Sequence, residues 1–312
     1  MAQVKSLKNL RRPAVVAAFG GWNDAGDAAS GVIDHLAEIT SARLAFAMDP
    51  DVYYDFQVNR PSMATTSGGE RTLQWPTTEV LVASLPERDL VLIGGPEPNF
   101  HWRGYCSALI SAIRTVAPEI VVLLGAMLTD APHSRPVPVH GTASTEELAA
   151  SLALEVSSYE GPTGILGVLA ADCAVVGVPT ASLWASVPHY VAEPPNPKAT
   201  LALLDRLEDL LDTPLDTGDL PDLAAQWESQ VNDLAAEDSD ISAYITALEE
   251  RRDENQPEPQ GDAIAAEIQR YLRRRRNPRR PDGAEGRPAR AVRGEPPEDR
   301  GTDVSREAFR RS

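Results

Sequence analysis

Short apolar segments alternate with helix-like segments along roughly the first 190 residues, and this alternation constrains the fold more than any other feature of the sequence. The segments 14–19, 90–93 and 120–124 contain only apolar residues, as is typical of strands buried on both faces of a sheet. Stretches with helical periodicity lie between them, for example 102–116. Strands that alternate with helices predict an α/β fold in which helices cover both faces of a mostly parallel sheet.

Further segments complete the alternation. Additional strands are predicted at 44–48, 72–75, 79–84, 164–169 and 181–187. Additional helices are predicted from Asn23 or Asp24 to Ile39 and over 146–156. Glycine and proline are expected to end the strand at 94–98, and a turn at 125–127 is expected to lead into a proline-rich loop at 129–143.

The composition changes after Val191. A proline-rich linker at 193–197 precedes predicted helices over 198–211, 221–236, 239–252 and 262–275, whereas 253–261 and the segment beyond Asn277 have the composition of disordered chain. We therefore expect an α/β sandwich domain over 1–192, a helical C-terminal extension over 193–276 and a disordered tail rich in Arg, Pro and Gly over 277–312.

Charge and apolar content limit the classes of function. With 46 acidic and 29 basic side chains, the net charge is −17, so general nucleic-acid binding is not expected. No run of about 20 apolar residues and no secretory signal is present, which predicts a soluble cytoplasmic protein without a membrane partner. The arginine-rich segment 270–280 has two interpretations, a patch that binds polyanions or a helix end that pairs with the acidic helices before it; we favour the second.

Polar side chains follow several of the predicted strands, where doubly wound sheets bind their ligands. Candidate residues of a binding surface there are Trp22, Asn23, Asp24, Glu97, Asn99, His101, Arg103, Arg135 and His189. If the protein is an enzyme, the candidate catalytic residues are Asp24, His101, Asp130 and His133. All of these loops are expected to converge on one surface, where some of Trp22, Trp102 and Trp184 are expected to form a subunit contact or a ligand wall.

No complete catalytic or cofactor motif accompanies these residues. The glycine-containing segment 20–26 lacks the lysine of a phosphate-binding loop, and it is more simply explained as a turn that Asn23 and Asp24 connect to a helix. The G-x-S-x-G and H-E-x-x-H patterns are absent, and Cys106 and Cys173 are predicted to be buried, unreactive side chains. We therefore expect neither a metal nor a cofactor, and whether the protein is an enzyme stays open, with the residues favouring that it is not.

Several segments together resemble the proteasome assembly chaperone 2 family, in its long actinobacterial branch. The segment 18–29, with the sequence AFGGWNDAGDAA, resembles the opening signature of that family. The resemblance covers about 1–276 and continues in the segments 53–56, 60–61, 94–103, 141–143, 159–164, 182–190, 261–264 and 271–274.

The resemblance implies a three-layer α/β/α sandwich, similar to nucleoside phosphorylases and related hydrolases, with a helical C-terminal extension. It also implies self-association, with a trimer favoured, and a partnership with proteasome subunits, whose assembly the eukaryotic relatives assist. The sequence ends in AFRRS rather than in the hydrophobic-tyrosine-X tail of many ring-docking factors, so docking through such a tail is not expected. We therefore expect a noncatalytic, self-associating assembly or interaction protein. The alternative is a hydrolase- or phosphorylase-like enzyme that acts on a small molecule at the carboxyl ends of the strands.

Overall fold

The computed structural model describes residues 7–66 and 68–255. The strands in chain order are β1 (Ala14–Gly20), β2 (Arg43–Ala47), β3 (Ser62–Thr65), β4 (Arg71–Gln74), β5 (Glu79–Ser84), β6 (Asp89–Pro96), β7 (Ile120–Thr129), β8 (Val139–Ala143), β9 (Glu155–Val156) and β10 (Thr180–Pro188). The helices are α1 (Ala28–Ile39), α2 (Pro50–Tyr53), α3 (Trp102–Val116), α4 (Glu146–Leu152), α5 (Ile165–Val175), α6 (Pro197–Leu211), α7 (Leu220–Ala236) and α8 (Ser239–Asn255). Short 3₁₀ turns precede α1 and follow β10.

Eight strands form one mixed sheet in the order β2-β5-β6-β1-β7-β10-β8-β9. Its centre, β6-β1-β7-β10, is parallel, while β5 and β8 run antiparallel to their central neighbours. The four parallel strands therefore end at the same side of the sheet, which we call the carboxyl edge. The sequence predicted this parallel centre, and the loops that leave these strands start from one edge.

Two apolar clusters lie on opposite faces of the sheet. Alternate residues of β1 face each cluster: Val16 packs with α1 and α6, whereas Phe19 packs with α3 and α5. The prediction of a sheet covered on both faces is therefore confirmed, since both clusters consist of buried side chains between the sheet and helices.

Helix α6 packs in the same cluster as α1, and glycine permits their close approach. A Cβ atom at Gly31 of α1 would lie 2.9 Å from the Thr200 hydroxyl oxygen of α6, closer than side chains tolerate. The Thr200 hydroxyl donates to the carbonyl oxygen of Ala28 at 3.1 Å. Asn196 caps α6 by accepting a hydrogen bond from Ala199 N–H at 3.0 Å, with Pro197 at the first helical position.

The predicted strand at 164–169 is wrong, because this segment begins α5. The helix is apolar on all sides and has one charged residue, Asp172. Short apolar runs have no polar face from which a period of 2 can be told from a period of 3.6. Tertiary packing decides the structure of this segment, since α5 covers β1, β7 and β10 on the face of the sheet opposite α1.

Other differences lie at the end of β7 and in the segment that follows it. The segment 125–127, which was predicted to follow the strand over 120–124, is part of β7 and pairs with β10. The Trp184 ring of β10 covers Gly125 at the position where any other residue would carry its Cβ atom. The predicted loop at 129–143 contains β8, and the predicted helix at 146–156 divides into α4 and β9. The strand predicted to end before 94–98 continues to Pro96.

Residues 61–74 belong to a separate compact unit, in which β3 and β4 form an antiparallel hairpin. The hairpin pairs Met63 with Leu73, and both side chains are about half exposed. The helix predicted over 262–275 and the disorder predicted beyond 277 lie outside the described residues. None of the helices among residues 7–66 and 68–255 combines the length and the apolar character needed to cross a membrane.

Candidate functional site

The turn at Trp22, Asn23 and Asp24 lies at the carboxyl edge between the ends of β6 and β7. Glu97 N–H donates to the Gly20 carbonyl at 2.8 Å, which ties the loop after β6 to the end of β1. Ala126 N–H donates to the Asn23 carbonyl at 2.8 Å, which joins β7 to the same turn. The backbone therefore positions this turn from both neighbouring strands.

Asn23 and Glu97 form a buried link to the start of α5. Asn23 Nδ2 donates to Glu97 Oε1 at 2.9 Å, and the same oxygen accepts from Ile165 N–H at 2.7 Å. Asn23 is only 2% exposed, and a Cβ atom at Gly164 would lie 2.4 Å from its amide group. Glycine at 164 thus makes room for Asn23, and the Glu97 carboxylate stabilises the N-terminus of α5.

Asp24 is a buried cap of α1. Its carboxylate accepts hydrogen bonds from the N–H groups of Ala29 at 2.6 Å and Ser30 at 3.2 Å, and the residue is 4% exposed. Burial raises the pKa of Asp24 to about 6, because desolvation of the ionised carboxyl outweighs these hydrogen bonds. The side chain is directed toward the helix backbone, so its present geometry is that of a cap.

His133 is enclosed by hydrogen bonds on both sides of its ring. The backbone N–H of His133 donates to the Tyr190 hydroxyl at 2.8 Å, and this hydroxyl also lies 2.8 Å from the ring atom Nδ1 of His133. Since the Tyr190 hydroxyl accepts from the backbone N–H, its own hydrogen is donated to Nδ1. The ring proton of the neutral imidazole is then on Nε2, which donates to Asn232 Oδ1 at 3.1 Å. Burial lowers the pKa of His133, which favours this neutral form. His133 therefore joins the loop after β7 to α7.

Asp130 lies next to His189 rather than next to His133, the other candidate catalytic residue of this loop. His189 Nδ1 is 3.2 Å from Asp130 Oδ1, and the Tyr244 hydroxyl of α8 donates to the same oxygen at 3.5 Å. The rings of His189, Tyr190 and Tyr244 meet edge to face at the end of β10. Asp130 thus contacts His189 and Tyr244, whereas His133 contacts Tyr190 and Asn232.

Arg135 connects this loop to α8. Its guanidinium donates to both oxygens of Asp253, at 2.9 and 2.7 Å, and lies 3.5 Å from Glu249. Ser134 donates to Glu249 as well. The pKa of Asp253 is lowered by its hydrogen bond with Arg135. In this arrangement α8 contacts Arg135 through Glu249 and Asp253, and Asp130 through Tyr244.

Asn99, His101 and Arg103 lie on the loop between β6 and α3. Asn99 Oδ1 accepts from Asp55 N–H and from Asn59 Nδ2, both at 2.8 Å, and so fixes the loop to the segment after α2. His101 has a left-handed backbone conformation with φ of 56° and precedes the first turn of α3. The side chains of His101 and Arg103 are exposed.

The three tryptophans differ in their surroundings, and two of them are not in loops. Trp102 begins α3 and donates from Nε1 to the Pro98 carbonyl at 2.6 Å, while Trp184 lies in β10. Both pack against the apolar cluster under α3 and α5. Trp22, by contrast, is 73% exposed.

Other exposed apolar side chains lie on the loops and strand ends of the carboxyl edge. We call this set the rim patch, which consists of Trp22, Phe100, Met127, Leu128 and Tyr159. Tyr159 belongs to the segment before α5, whose Gly164 contacts Asn23. Phe100 follows β6, and Met127 and Leu128 are near the end of β7.

The sequence predicted the helix over 239–252, but it did not predict that Tyr190 and this helix would contact Asp130, His133, Arg135 and His189. Tyr190 and Tyr244 have no motif of their own, and α8 has only Ile245 and Leu248 buried. A signal was present in the acidic residues of 239–254, which are complementary to Arg135. Among residues 7–66 and 68–255, no three or more His, Cys, Asp or Glu side chains are grouped so that they could hold a metal ion.

Comparisons with known proteins give consistent results. The model of the PAC2 family matches residues 18–235. A PAC2 family protein from Streptomyces avermitilis is 50% identical, with a TM-score of 0.70 over 74% of this chain and 99% of its own. A proteasome-assembly chaperone homologue from Mycobacterium tuberculosis is 46% identical, with a TM-score of 0.67 over the same shares of the two chains.

A more distant structure shares the fold alone. An archaeal proteasome activator from Pyrococcus furiosus is 15% identical, with a TM-score of 0.57 over 72% of this chain and 94% of its own. No curated protein matches the chain. The α/β sandwich with its C-terminal helices is therefore an arrangement that solved structures share with this chain.

Proposed function

Because the chain belongs to the PAC2 family, whose model matches residues 18–235, we propose that it is a noncatalytic, self-associating assembly protein that binds proteasome components. The relative from Mycobacterium tuberculosis is described as a proteasome-assembly chaperone homologue, and that description supports the choice of partner. The proposal includes a cytoplasmic location. We also propose that the chain consists of an α/β sandwich domain over 1–192, a helical C-terminal extension over 193–276 and a tail over 277–312.

One observation supports a contact surface over an active site at the carboxyl edge. Within the Trp22 turn, the polar side chains of Asn23 and Asp24 are buried and bonded inside the chain, while the apolar Trp22 is 73% exposed. Exposed aromatic side chains are enriched where proteins meet partners. No observation on the described residues favours the hydrolase- or phosphorylase-like alternative, since the carboxylates of Asp24 and Glu97 already accept hydrogen bonds from helix N–H groups.

The rim patch is the surface on which we place self-association. Its five side chains are uncharged, whereas the whole chain has a net charge of −17. Copies of a chain with this charge repel one another, so a stable contact between them favours a surface without charge. A closed ring of three copies is the arrangement that we favour.

The mass of the protein in solution tests this proposal. We expect the wild-type chain to elute as an oligomer in light scattering coupled to gel filtration, and W22D to shift toward the monomer by at least tenfold in dissociation constant, because a carboxylate in the contact must be desolvated. V175D is the matched control, since Val175 is 85% exposed at the far end of α5. A monomeric wild-type protein, or equal effects of the two variants, would contradict self-association through the rim patch.

A separate experiment tests the partner. Purified protein immobilised on beads is incubated with a lysate of an organism that has a 20S proteasome, and the bound fraction is examined for 20S subunits and their unassembled precursors. We expect α subunits in the bound fraction, and we expect that W22D retains fewer of them than V175D. Repeated absence of 20S subunits would contradict the proteasome part of the proposal and leave the self-association result standing.

A further inference from the structure

An open pocket lies beside the carboxyl edge, between α2 and the start of α3. It has a volume of about 560 Å³ and is lined by Val52, Tyr53, His101, Trp102, Arg103 and Gly104. Val52 and the two aromatic rings provide an apolar wall. None of these six residues is acidic.

Hydrogen bonds fix the walls of this pocket. The N–H groups of Asn99 and Phe100 both donate to the Tyr53 carbonyl, at 2.9 and 3.1 Å, which ties the loop before α3 to α2. The Tyr53 ring meets the buried Tyr105 ring edge to face with a centroid distance of 5.3 Å. Trp102 is held by its hydrogen bond to Pro98. The pocket is therefore largely formed before any ligand arrives.

Two exposed side chains at the pocket, the His101 ring and the Arg103 guanidinium, carry nitrogen donors. Within residues 7–66 and 68–255, neither of these side chains takes part in a hydrogen bond or an ion pair. Arg135, by comparison, is paired with Asp253. In a chain with 46 acidic side chains and 29 Lys and Arg side chains, the guanidinium of Arg103 next to the ring N–H donor of His101 provides a local site for a negatively charged group.

We propose that this pocket binds the carboxyl terminus of a partner polypeptide that ends in an apolar or aromatic residue. The terminal carboxylate accepts hydrogen bonds from Arg103 and His101, and the last side chain packs between Val52, Tyr53 and Trp102. Sites for small molecules enclose most of their ligand, whereas an open pocket suits the end of a chain that continues into solvent. This inference rests on the proposed interaction role, though not on the proteasome as the partner.

Synthetic peptides test the proposal directly. Fluorescein-labelled hexapeptides that end in Phe, Tyr, Leu or Gly are titrated with the full chain, each as the free acid and as the C-terminal amide, and binding is followed by fluorescence anisotropy. We expect at least one apolar-ended free acid to bind at least tenfold more tightly than its amide, and more tightly than the peptide ending in Gly. Equal binding of acids and amides, or no binding of any peptide at about 1 mM, would overturn the proposal.

Variants locate the peptide. R103A should weaken binding of the free acid about tenfold and leave binding of the amide unchanged, because only the acid gains from the guanidinium. R114A is the matched control, since Arg114 is an exposed arginine in the last turn of the same helix. Similar effects of R103A and R114A would place the peptide elsewhere and contradict the assignment. Peptide binding that persists while the lysate experiment yields no 20S subunits would contradict only the choice of partner.

Discussion

Within the turn after β1, neighbouring residues have opposite environments. Trp22 is exposed, whereas Asn23 and Asp24 are buried. Asn23 donates a hydrogen bond to Glu97 in the loop after β6, and Asp24 accepts one from α1. A buried carboxylate is stable only when its charge is compensated or when it is protonated. Asp24 has the N-terminus of α1 as its main compensation, and its raised pKa shows that this compensation is incomplete.

The first prediction concerns the charge of Asp24. Its pKa of about 6 in the folded chain is above the value of 3.8 for an unperturbed Asp, so Asp24 makes the fold lose stability as pH rises from about 4 to about 6, with no further loss above that range. D24N keeps an oxygen that can accept from Ala29 and Ser30 but has no charge. We expect the free energy of unfolding of D24N, relative to wild type, to increase by about 2 to 3 kcal/mol between pH 4 and pH 7, measured by urea denaturation.

D24A provides the control for the cap. It removes the hydrogen bonds as well as the charge, so its free energy of unfolding should be lower than that of D24N at every pH by about 1 kcal/mol. Relative to wild type, the two variants should show the same dependence on pH. A difference between D24N and wild type that is independent of pH would show that Asp24 does not titrate in this range.

Among the secondary-structure elements, α8 is attached by few apolar side chains. Only Ile245 and Leu248 are buried, and polar contacts from Tyr244, Glu249 and Asp253 provide the rest of its attachment to the loop after β7. Because exposed ion pairs contribute little, such a helix is expected to open more easily than the helices that cover the central strands. Its opening would remove the Tyr244 side chain from Asp130 and His189.

The second prediction is that Arg135 slows this opening. In R135A, the amide hydrogens of 245–253 should exchange roughly three- to tenfold faster than in wild type, with exchange in β1 unchanged, as measured by mass spectrometry. On acidification the two proteins should converge, because protonation of Asp253 removes the ion pair that lowers its pKa. E254A changes the charge at an exposed position of α8 and should leave exchange unaltered; equal acceleration by E254A would argue against a specific role of Arg135.

For the molecule as a whole, net charge and the rim patch have opposing effects on association. Two copies that each have a net charge of −17 repel one another, and salt weakens this repulsion by screening it. Contact between uncharged side chains is little affected by moderate salt. Self-association through the rim patch should therefore become tighter as salt increases.

The third prediction follows from this balance. Raising NaCl from about 0.05 M to about 0.5 M should lower the dissociation constant of the oligomer by about tenfold, as measured by sedimentation velocity. W22D should show a smaller gain, since it introduces charge into the contact itself. An oligomer that dissociates as salt rises would instead indicate that ion pairs hold the copies together, which would contradict the proposed surface.

Local signals in the sequence were sufficient for most of the elements. The helix over 102–116 and the strand over 79–84 have the predicted bounds, because each has a clear apolar period and a breaker at its end. The segment 164–169 lacked such a period, and α5 was consequently predicted as a strand. The short strands β8 and β9 at one side of the sheet were missed, since two to five residues of mixed polarity carry little local information.

The sequence by itself determined the α/β class, the parallel centre and the set of loops that lie at the carboxyl edge, since these follow from the order of apolar segments along the chain. Only the tertiary structure decided what each side chain on those loops does. Asn23 bonds Glu97 across 74 residues, His133 bonds Asn232 across 99, and Arg135 bonds Asp253 across 118. A polar residue acts as a cap, a link or an exposed contact according to its burial and its partners, and both depend on residues far away in the sequence.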